Sequence, residues 1–259
     1  MKNFINNKTI LITGATSGIG KQLATDLAPY KVNLILVGRT TSKLDELKSS
    51  LSKSTDCRID TYTLDVRNRK DVETTIATIL QTHTIDILIN NAGLALGLSK
   101  VHEGDIDQWD NMIDTNVKGL LYVSKPVIAH MLEKPTAHIV NIGSVAGKTA
   151  YPNGNAYCAS KSAVHSIGES MNADLLGTNI KVTTIAPGAV DTNFSKVRFD
   201  GDMDKADAVY DGYTPLSAGD IASAIISVLN TPAHVNIQYM DIMPTAQRNP
   251  YLLDRSGNS

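Results

Sequence analysis

The stretch Thr13-Gly14-Ala15-Thr16-Ser17-Gly18-Ile19-Gly20 constrains this chain more than any other. It interrupts an apolar run, Thr9-Ile10-Leu11-Ile12, and opens an amphipathic segment over 21–28. The order is strand, glycine turn, helix. Glycine has no Cβ, so the backbone can turn tightly and approach a phosphate closely. The first N–H groups of the following helix lack internal partners and carry partial positive charge, which suits a pyrophosphate. The glycine spacing of 14, 18 and 20 is looser than the usual dinucleotide fingerprint, and its place between strand and helix gives it weight. Gly14, Thr16, Ser17, Gly18, Ile19 and Gly20 are therefore candidate cofactor contacts.

The rest of the chain repeats that alternation. Short runs rich in β-branched residues fall at 9–13, 32–37, 59–64, 85–89, 138–142, 181–186 and 235–240. Helical patterns fall between them, at 21–28, 42–52, 69–82, 106–131, 155–176 and 218–230. Runs such as Leu34-Ile35-Leu36-Val37 are nearly continuously apolar, as strands covered on both faces must be. Alternation with right-handed crossovers predicts an α/β fold: a doubly wound, Rossmann-like parallel sheet of about seven strands, with helices on both faces. No repeat or Pro/Gly/Ser linker divides the 259 residues, so one domain over 1–259 is expected. Residues 191–213 show no clean periodicity and read as a long irregular loop able to bind substrate. The tail over 244–259 ends in polar residues and is expected to fray.

Composition excludes several classes. The net charge is −2 with no basic block, so nothing points to nucleic acid. No apolar run approaches the ~18 residues of a membrane span. Met1-Lys2-Asn3-Phe4-Ile5-Asn6-Asn7 is polar, without the apolar region of a signal peptide, which favours the cytoplasm. Cys57 and Cys158 read as two thiols rather than a disulfide. The six histidines, at 83, 102, 130, 138, 165 and 234, have no metal-ligand spacing, so no metal is expected.

Ligands of open α/β sheets sit beyond the carboxyl ends of the strands. The second run ends Val37-Gly38-Arg39-Thr40, where an NAD site usually places a carboxylate for the ribose hydroxyl. Here Gly38 removes the carboxylate and Arg39 supplies a cation that pairs well with the 2′-phosphate of NADP. Arg39 would serve equally as a solvated loop residue. Asp65-Val66 ends the third run, where a carboxylate can meet an adenine amino group. Asn91-Ala92-Gly93 follows the fourth, with small residues that let a cofactor lie close. Ordinary turn chemistry would explain both. Pro187-Gly188-Ala189-Val190-Asp191-Thr192 ends the sixth, and the amides beyond Pro187, with Gly188, Val190 and Thr192, can meet a nicotinamide carboxamide. A plain Pro-Gly turn is the alternative.

The chemistry-bearing residues lie in the second half. Tyr157 and Lys161 open the helical pattern at 155–176, and residues i and i+4 share a helix face. A phenol has a pKa near 10 and is a poor base at neutral pH. An adjacent ammonium and a positive nicotinamide ring would lower it, for about 3–4 kcal/mol. Tyr157 would then exchange a proton with a carbonyl or alcohol oxygen as hydride moves. Such Tyr/Lys pairs also arise by chance, so the neighbours decide. Ser144 follows the fifth run and can hydrogen-bond a developing alkoxide, or simply cap a turn. Asn116, inside the helical pattern at 106–131, can kink that helix or hold a water, or be a surface amide.

Together these residues resemble the short-chain dehydrogenase/reductase family across almost the whole chain: the glycine turn, Asn90-Asn91-Ala92-Gly93, Asn116, Ser144, Tyr157, Lys161 and Pro187-Gly188. The resemblance implies that Tyr157 is the acid/base, Ser144 orients substrate, Lys161 holds the nicotinamide ribose and tunes Tyr157, and Asn116 keeps a proton relay. It also implies a homotetramer packed partly through the helices of Asn116 and Tyr157. A narrower likeness is carried by Leu64-Asp65-Val66-Arg67-Asn68-Arg69, by Asn91-Ala92-Gly93-Leu94-Ala95-Leu96-Gly97, by Trp109 with Met112-Ile113-Asp114-Thr115-Asn116, by Phe194-Ser195-Lys196-Val197-Arg198-Phe199, and by Pro232-Ala233-His234-Val235-Asn236-Ile237. These are similar to NADP-dependent 3-hydroxy acid dehydrogenases, which act on serine, L-allo-threonine and related small molecules; the chain departs from them over 188–194, where the loop is shorter. A substrate carboxylate wants a cation, and Arg198 is the candidate, with Lys148 second. A general carbonyl reductase or alcohol dehydrogenase of the same family, and a non-catalytic NADP-binding sensor, are the competing readings.

Overall fold

The computed structural model describes residues 4–53, 57–199 and 201–257. Of the segments singled out above, residues 1–3, Asp200 and residues 258–259 lie outside the described residues.

Seven parallel strands form one sheet in the order β3-β2-β1-β4-β5-β6-β9. They are β1 (Thr9–Thr13), β2 (Asn33–Gly38), β3 (Ile59–Thr63), β4 (Ile87–Asn90), β5 (Ala137–Ile142), β6 (Ile180–Pro187) and β9 (Tyr239–Ile242). The helices are α1 (Gly18–Leu27), α2 (Thr41–Leu51), α3 (Arg69–Thr82), α4 (Ile106–Ile113), α5 (Leu120–Met131), α6 (Asn155–Asp174), α7 (Asn193–Arg198), α8 (Met203–Ala208) and α9 (Ala218–Leu229). Two short strands, β7 (Val190–Asp191) and β8 (Leu216–Ser217), pair with each other. Strand side chains alternate between faces, so each strand feeds two cores. Ile10, Ile12, Leu34 and Leu36 pack with Leu23, Leu27, Leu44, Ile221 and Ile225 of α1, α2 and α9. Leu11, Ile35 and Val37 pack with Val72, Ile76, Val123, Val127 and Val164 of α3, α5 and α6. The strand order reverses between β1 and β4, successive strands being added on one side of β1 and then on the other, which opens a crevice at the carboxyl ends of the strands.

Four expectations need correction. The pattern at 106–131 is not one helix: α4 passes through a π-helical turn, Asp114–Gly119, into α5. The cause is a tertiary contact, because Asn116 is drawn inward to bond the backbone of Leu94. The last strand lies later than 235–240, at Tyr239–Ile242, because Val235 N–H closes a turn on Pro232 and the strand must reach Pro187 of β6. Residues 191–213 are not irregular. The β7–β8 pair closes their base and they hold α7 and α8, capped by the side chains of Thr192 and Asp202. The tail is tied down through Gly257. Buried Gln247 accepts from Ala189 N–H at 2.8 Å, Arg255 donates to the Asp211 carbonyl at 2.6 Å, and Gly257 N–H bonds the Gly212 carbonyl.

Candidate active site

A cleft of about 500 Å³ runs along the strand ends. Gly14, Thr16, Ser17, Gly18, Ile19, Arg39, Thr40, Asp65, Val66, Asn91, Ala92, Gly93, Ser144, Tyr157, Lys161, Pro187, Gly188, Val190 and Thr192 all line it. The sequence-derived residues thus converge, apart from Lys148 and three others. Gly20, Asn116 and Arg198 do not line the cleft, and each has a different position.

The glycine turn is held from below. Gly14 has φ +65°, and a Cβ there would fall 2.9 Å from the Ala92 Cα, so only glycine fits. Asn91 donates its amide to the carbonyls of Thr13 and Gly14 at 2.9 and 3.0 Å. Asn91 therefore shapes the turn rather than offering its amide to a ligand. Gly20 is buried, and a Cβ there would press on the Gly14 carbonyl at 2.5 Å. Its contribution is close packing of α1. Ser17, the N-cap of α1, makes no side-chain cap, and the first turn of α1 has no acidic residue. Its amides are thus open to an anion, and the donor set fits a pyrophosphate.

At the far end Arg39 is exposed at the mouth of the cleft. Lys43, in the first turn of α2, lines the same end and escaped the sequence reading. Asp65 is paired with Arg67 at 2.6 Å, which holds its carboxyl below the ordinary carboxylate range.

Tyr157 and Lys161 sit at the other end, on the first turns of α6, and are buried at 8% and 5% exposure. Lys161 Nζ donates to the Ile142 carbonyl at 2.8 Å. Burial lowers its pKa to about 8. Burial also pushes the Tyr157 phenol well above its ordinary value; a hydrogen bond with Ser144 and the charge of Arg198 oppose this and lose. The expected lowering combines Lys161 with a positive nicotinamide ring; in the chain alone burial dominates the phenol. The ring of Phe194, from α7, tilts against that of Tyr157 with centroids 5.6 Å apart. Leu94, Thr115, Asn193, Phe194 and Val197 also line the cleft, none of them assigned a site role from the sequence.

Asn116 lies behind this end, at 2% exposure. It accepts from Leu94 N–H and donates to the Leu94 carbonyl and Ser160 Oγ, each at 2.9 Å. A Cβ built on Gly93 would lie 3.2 Å from its Oδ1 and 3.4 Å from Lys161 Nζ, so both border Gly93. Arg198 reaches the rim. Its guanidinium carbon is 5.2 Å from the Tyr157 ring centroid, and it donates to Tyr151 Oη and the Gly97 carbonyl. Tyr151, which the sequence reading missed, is thus its partner. Lys148, the second cation, is turned elsewhere: it pairs with Asp241 at 2.6 Å and lies 3.8 Å over the Tyr239 ring. Among the described residues no group of three or more His, Cys, Asp or Glu gathers as a metal site, and no helix is long and apolar enough to cross a membrane.

A glycine turn at a helix N-terminus, with a buried Tyr and Lys on one helix turn beside a Ser, defines a dehydrogenase-type cleft on a doubly wound sheet. The short chain dehydrogenase family model matches residues 8–202, and the chain belongs to that family, as an oxidoreductase acting on CH–OH groups. It is 42% identical over 240 residues to the NADP-dependent 3-hydroxy acid dehydrogenase YdfG of Salmonella typhi, covering 92% of this chain and 95% of that one. It is 41% identical over 249 residues to sulfoacetaldehyde reductase 2 of Chromohalobacter salexigens, covering 95% and 98%. Among solved structures, the closed form of serine dehydrogenase complexed with NADP+ superposes with a TM-score of 0.88 at 40% identity, covering 93% of this chain and 96% of that one.

Proposed function

We propose that this protein transfers hydride between NADP(H) and the 3-position of short 3-hydroxy acids, of the serine, L-allo-threonine and 3-hydroxypropionate type, or the corresponding carbonyls. The observation that carries this reading is the Arg198 guanidinium 5.2 Å from the ring of Tyr157, at the end of the cleft that Ser144 and Lys161 also line. NADP(H) supplies or accepts the hydride when bound. Arg39, with Lys43, holds its 2′-phosphate; the α1 amides and Gly18 hold the pyrophosphate; Gly188, Val190 and Thr192 border the nicotinamide; and Lys161 serves the adjoining ribose. Ser144 holds the substrate oxygen, and Tyr157 Oη gives that oxygen its proton in reduction and takes it back in oxidation. Arg198, with Tyr151, receives the carboxylate. Asn116 fixes the loop of Leu94 against α6 and borders the route from Lys161 to solvent. Residues 191–213 cover the substrate, with Phe194 excluding water from the phenol. The single domain over 1–259 assembles as a homotetramer and works in the cytoplasm.

The test is absorbance of the reduced cofactor with serine, L-allo-threonine, 3-hydroxypropionate and a plain secondary alcohol. Turnover of the acids that is lost in Tyr157→Phe is expected. Arg198→Ala should raise KM for serine roughly 10- to 100-fold, the loss of one charge-assisted contact, and change that of an uncharged ketone far less. Equal effects on both would remove the clamp and favour the broader carbonyl reductase, a reading that the apolar Leu94, Phe194 and Val197 in the cleft wall also support. Binding of NADP with no turnover of any substrate, and Tyr157→Phe indistinguishable from the unaltered protein, would favour a sensor.

A further inference from the structure

His165 is buried at 7% exposure, one turn beyond Lys161 on α6, and plays no part in the chemistry above. Its Nε2 receives the backbone N–H of Ser144 at 3.4 Å. Its ring also shapes the segment around Ser144 from both sides. A Cβ built on Gly143 would fall 2.6 Å from His165 Nε2, and one on Gly147 would fall 2.6 Å from His165 Cε1. The two glycines flanking the serine turn are therefore moulded on the imidazole. The far side of the ring meets β9: Tyr239 stands edge-on, with centroids 5.1 Å apart, and its Oη is 3.1 Å from both ring nitrogens.

We propose that His165 is a positioning residue for Ser144, a neutral imidazole whose bare Nε2 accepts the Ser144 amide while Nδ1–H donates to Tyr239. The tautomer follows from the donors. A backbone amide can only donate, so Nε2 must present its lone pair, and the remaining hydrogen resides on Nδ1. Helix α6 then grips the end of β5 twice: Lys161 holds the Ile142 carbonyl, and His165 holds the Ser144 amide two residues on. Ser144 Oγ, which accepts from Ala146 N–H at 3.2 Å and bonds Tyr157, is aimed by that second grip. The groups facing the ring keep it neutral. Burial acts first, then the charges of Lys161 and Lys148, and these outweigh Asp241 and the backbone hydrogen bond with Ser144, both of which act upward, so its pKa falls to about 4. Glu169 acts on Tyr239 and helps to keep that hydroxyl protonated. An imidazolium would turn an N–H against the Ser144 N–H and leave that amide without its acceptor.

The inference rests on the proposed role of Ser144, and its test has an arm that does not. Nitrogen NMR of the cofactor-free protein should show His165 as the neutral Nδ1–H tautomer from about pH 6 upward. An Nε2–H tautomer, or an imidazolium at that pH, overturns the proposal whether or not a substrate is known. The second arm uses whichever hydroxy acid or ketone is turned over. His165→Leu, which keeps the bulk and loses the acceptor, should lower kcat roughly 10- to 100-fold, as sub-ångström misplacement does, with KM for NADP unchanged. His165→Gln, which restores an acceptor, should recover most of that loss. In a Ser144→Ala background His165→Leu should cost nothing more. An unaltered kcat in His165→Leu, or an equal loss in the Ser144→Ala background, overturns the proposal. Failure of every substrate removes the functional reading and leaves the NMR result to decide His165.

Discussion

Replacing Lys161 by Met separates what this residue costs the fold from what it gives the site. The ammonium is buried at 5% exposure, and burial brings its pKa from 10.5 to about 8. That difference corresponds to roughly 3 kcal/mol of folding free energy withheld while the group is charged. Against it stands the hydrogen bond to the Ile142 carbonyl, which as a charged-donor bond contributes about 1.5–3 kcal/mol. The two nearly cancel at pH 7, so a stability measurement there decides nothing. The pH dependence does decide. Above pH 8 the folded lysine sheds its proton while the unfolded one keeps it up to 10.5, so the unfolded state binds more protons and stability rises with pH. Relative to Lys161→Met, the unaltered protein should gain up to roughly 3 kcal/mol across that window. The assay is urea unfolding of the cofactor-free protein at fixed concentration, stepped from pH 7 to pH 10. Both proteins should carry Tyr157→Phe, which removes the phenol's own titration. A difference that stays flat with pH would refute a buried, charge-penalised lysine.

Other consequences are more direct. Arg39→Asp places a carboxylate where the 2′-phosphate is expected, and should reverse cofactor preference from NADP towards NAD, read as the ratio of kcat/KM for the two; an unchanged ratio would leave Arg39 a solvated loop residue. Because burial raises the Tyr157 phenol, carbonyl reduction should hold level through neutral pH and decline only in alkali, whereas alcohol oxidation should climb with pH; an oxidation rate level from pH 6 to pH 9 would contradict that direction. If Arg198 receives an anion by charge and hydrogen bonding, a sulfonate aldehyde should compete with the carboxylate substrate in the unaltered protein and lose that competition in Arg198→Ala; competition that survives the substitution would move the anion site elsewhere.

The sheet was readable because strands buried on both faces leave unbroken apolar runs, as in Leu34-Ile35-Leu36-Val37, and because Gly14 marks a sharp turn after β1 that a Cβ would block. What escaped reading was local geometry set by distant partners. The helical period runs through 106–131 without a break, and nothing in it says that Asn116 will bond Leu94 and open a π turn. Six-residue helices such as α7 and α8 are too short to display a period. Their caps, Thr192 and Asp202, were the only legible sign, and caps of that kind also occur in plain turns. Tyr151 was invisible for a related reason. Its role depends on where Arg198 lands, and those two residues meet only through the fold.

Spacing brings Tyr157 and Lys161 to one end of the cleft, but burial, which spacing does not reveal, dominates their electrostatics in the chain alone. Placing an ammonium four residues from a phenol on a helix puts them on one face, and in water the cation would favour the phenolate. Inside the fold the same burial acts on both groups and in opposite directions, raising the phenol and lowering the ammonium. Lys161 spends its hydrogen bond on the Ile142 carbonyl, while the phenol's stabilising contacts come from Ser144 and Arg198. Burial outweighs them, so the resting site holds a protonated phenol beside a lysine that titrates near neutrality. On the proposed role of Tyr157, that state favours giving a proton to a carbonyl oxygen, and taking one from an alcohol would be aided by a further positive charge in the cleft. The pH at which each direction runs should therefore shift with the charge of the cofactor that occupies the site, with Lys161 as a secondary influence.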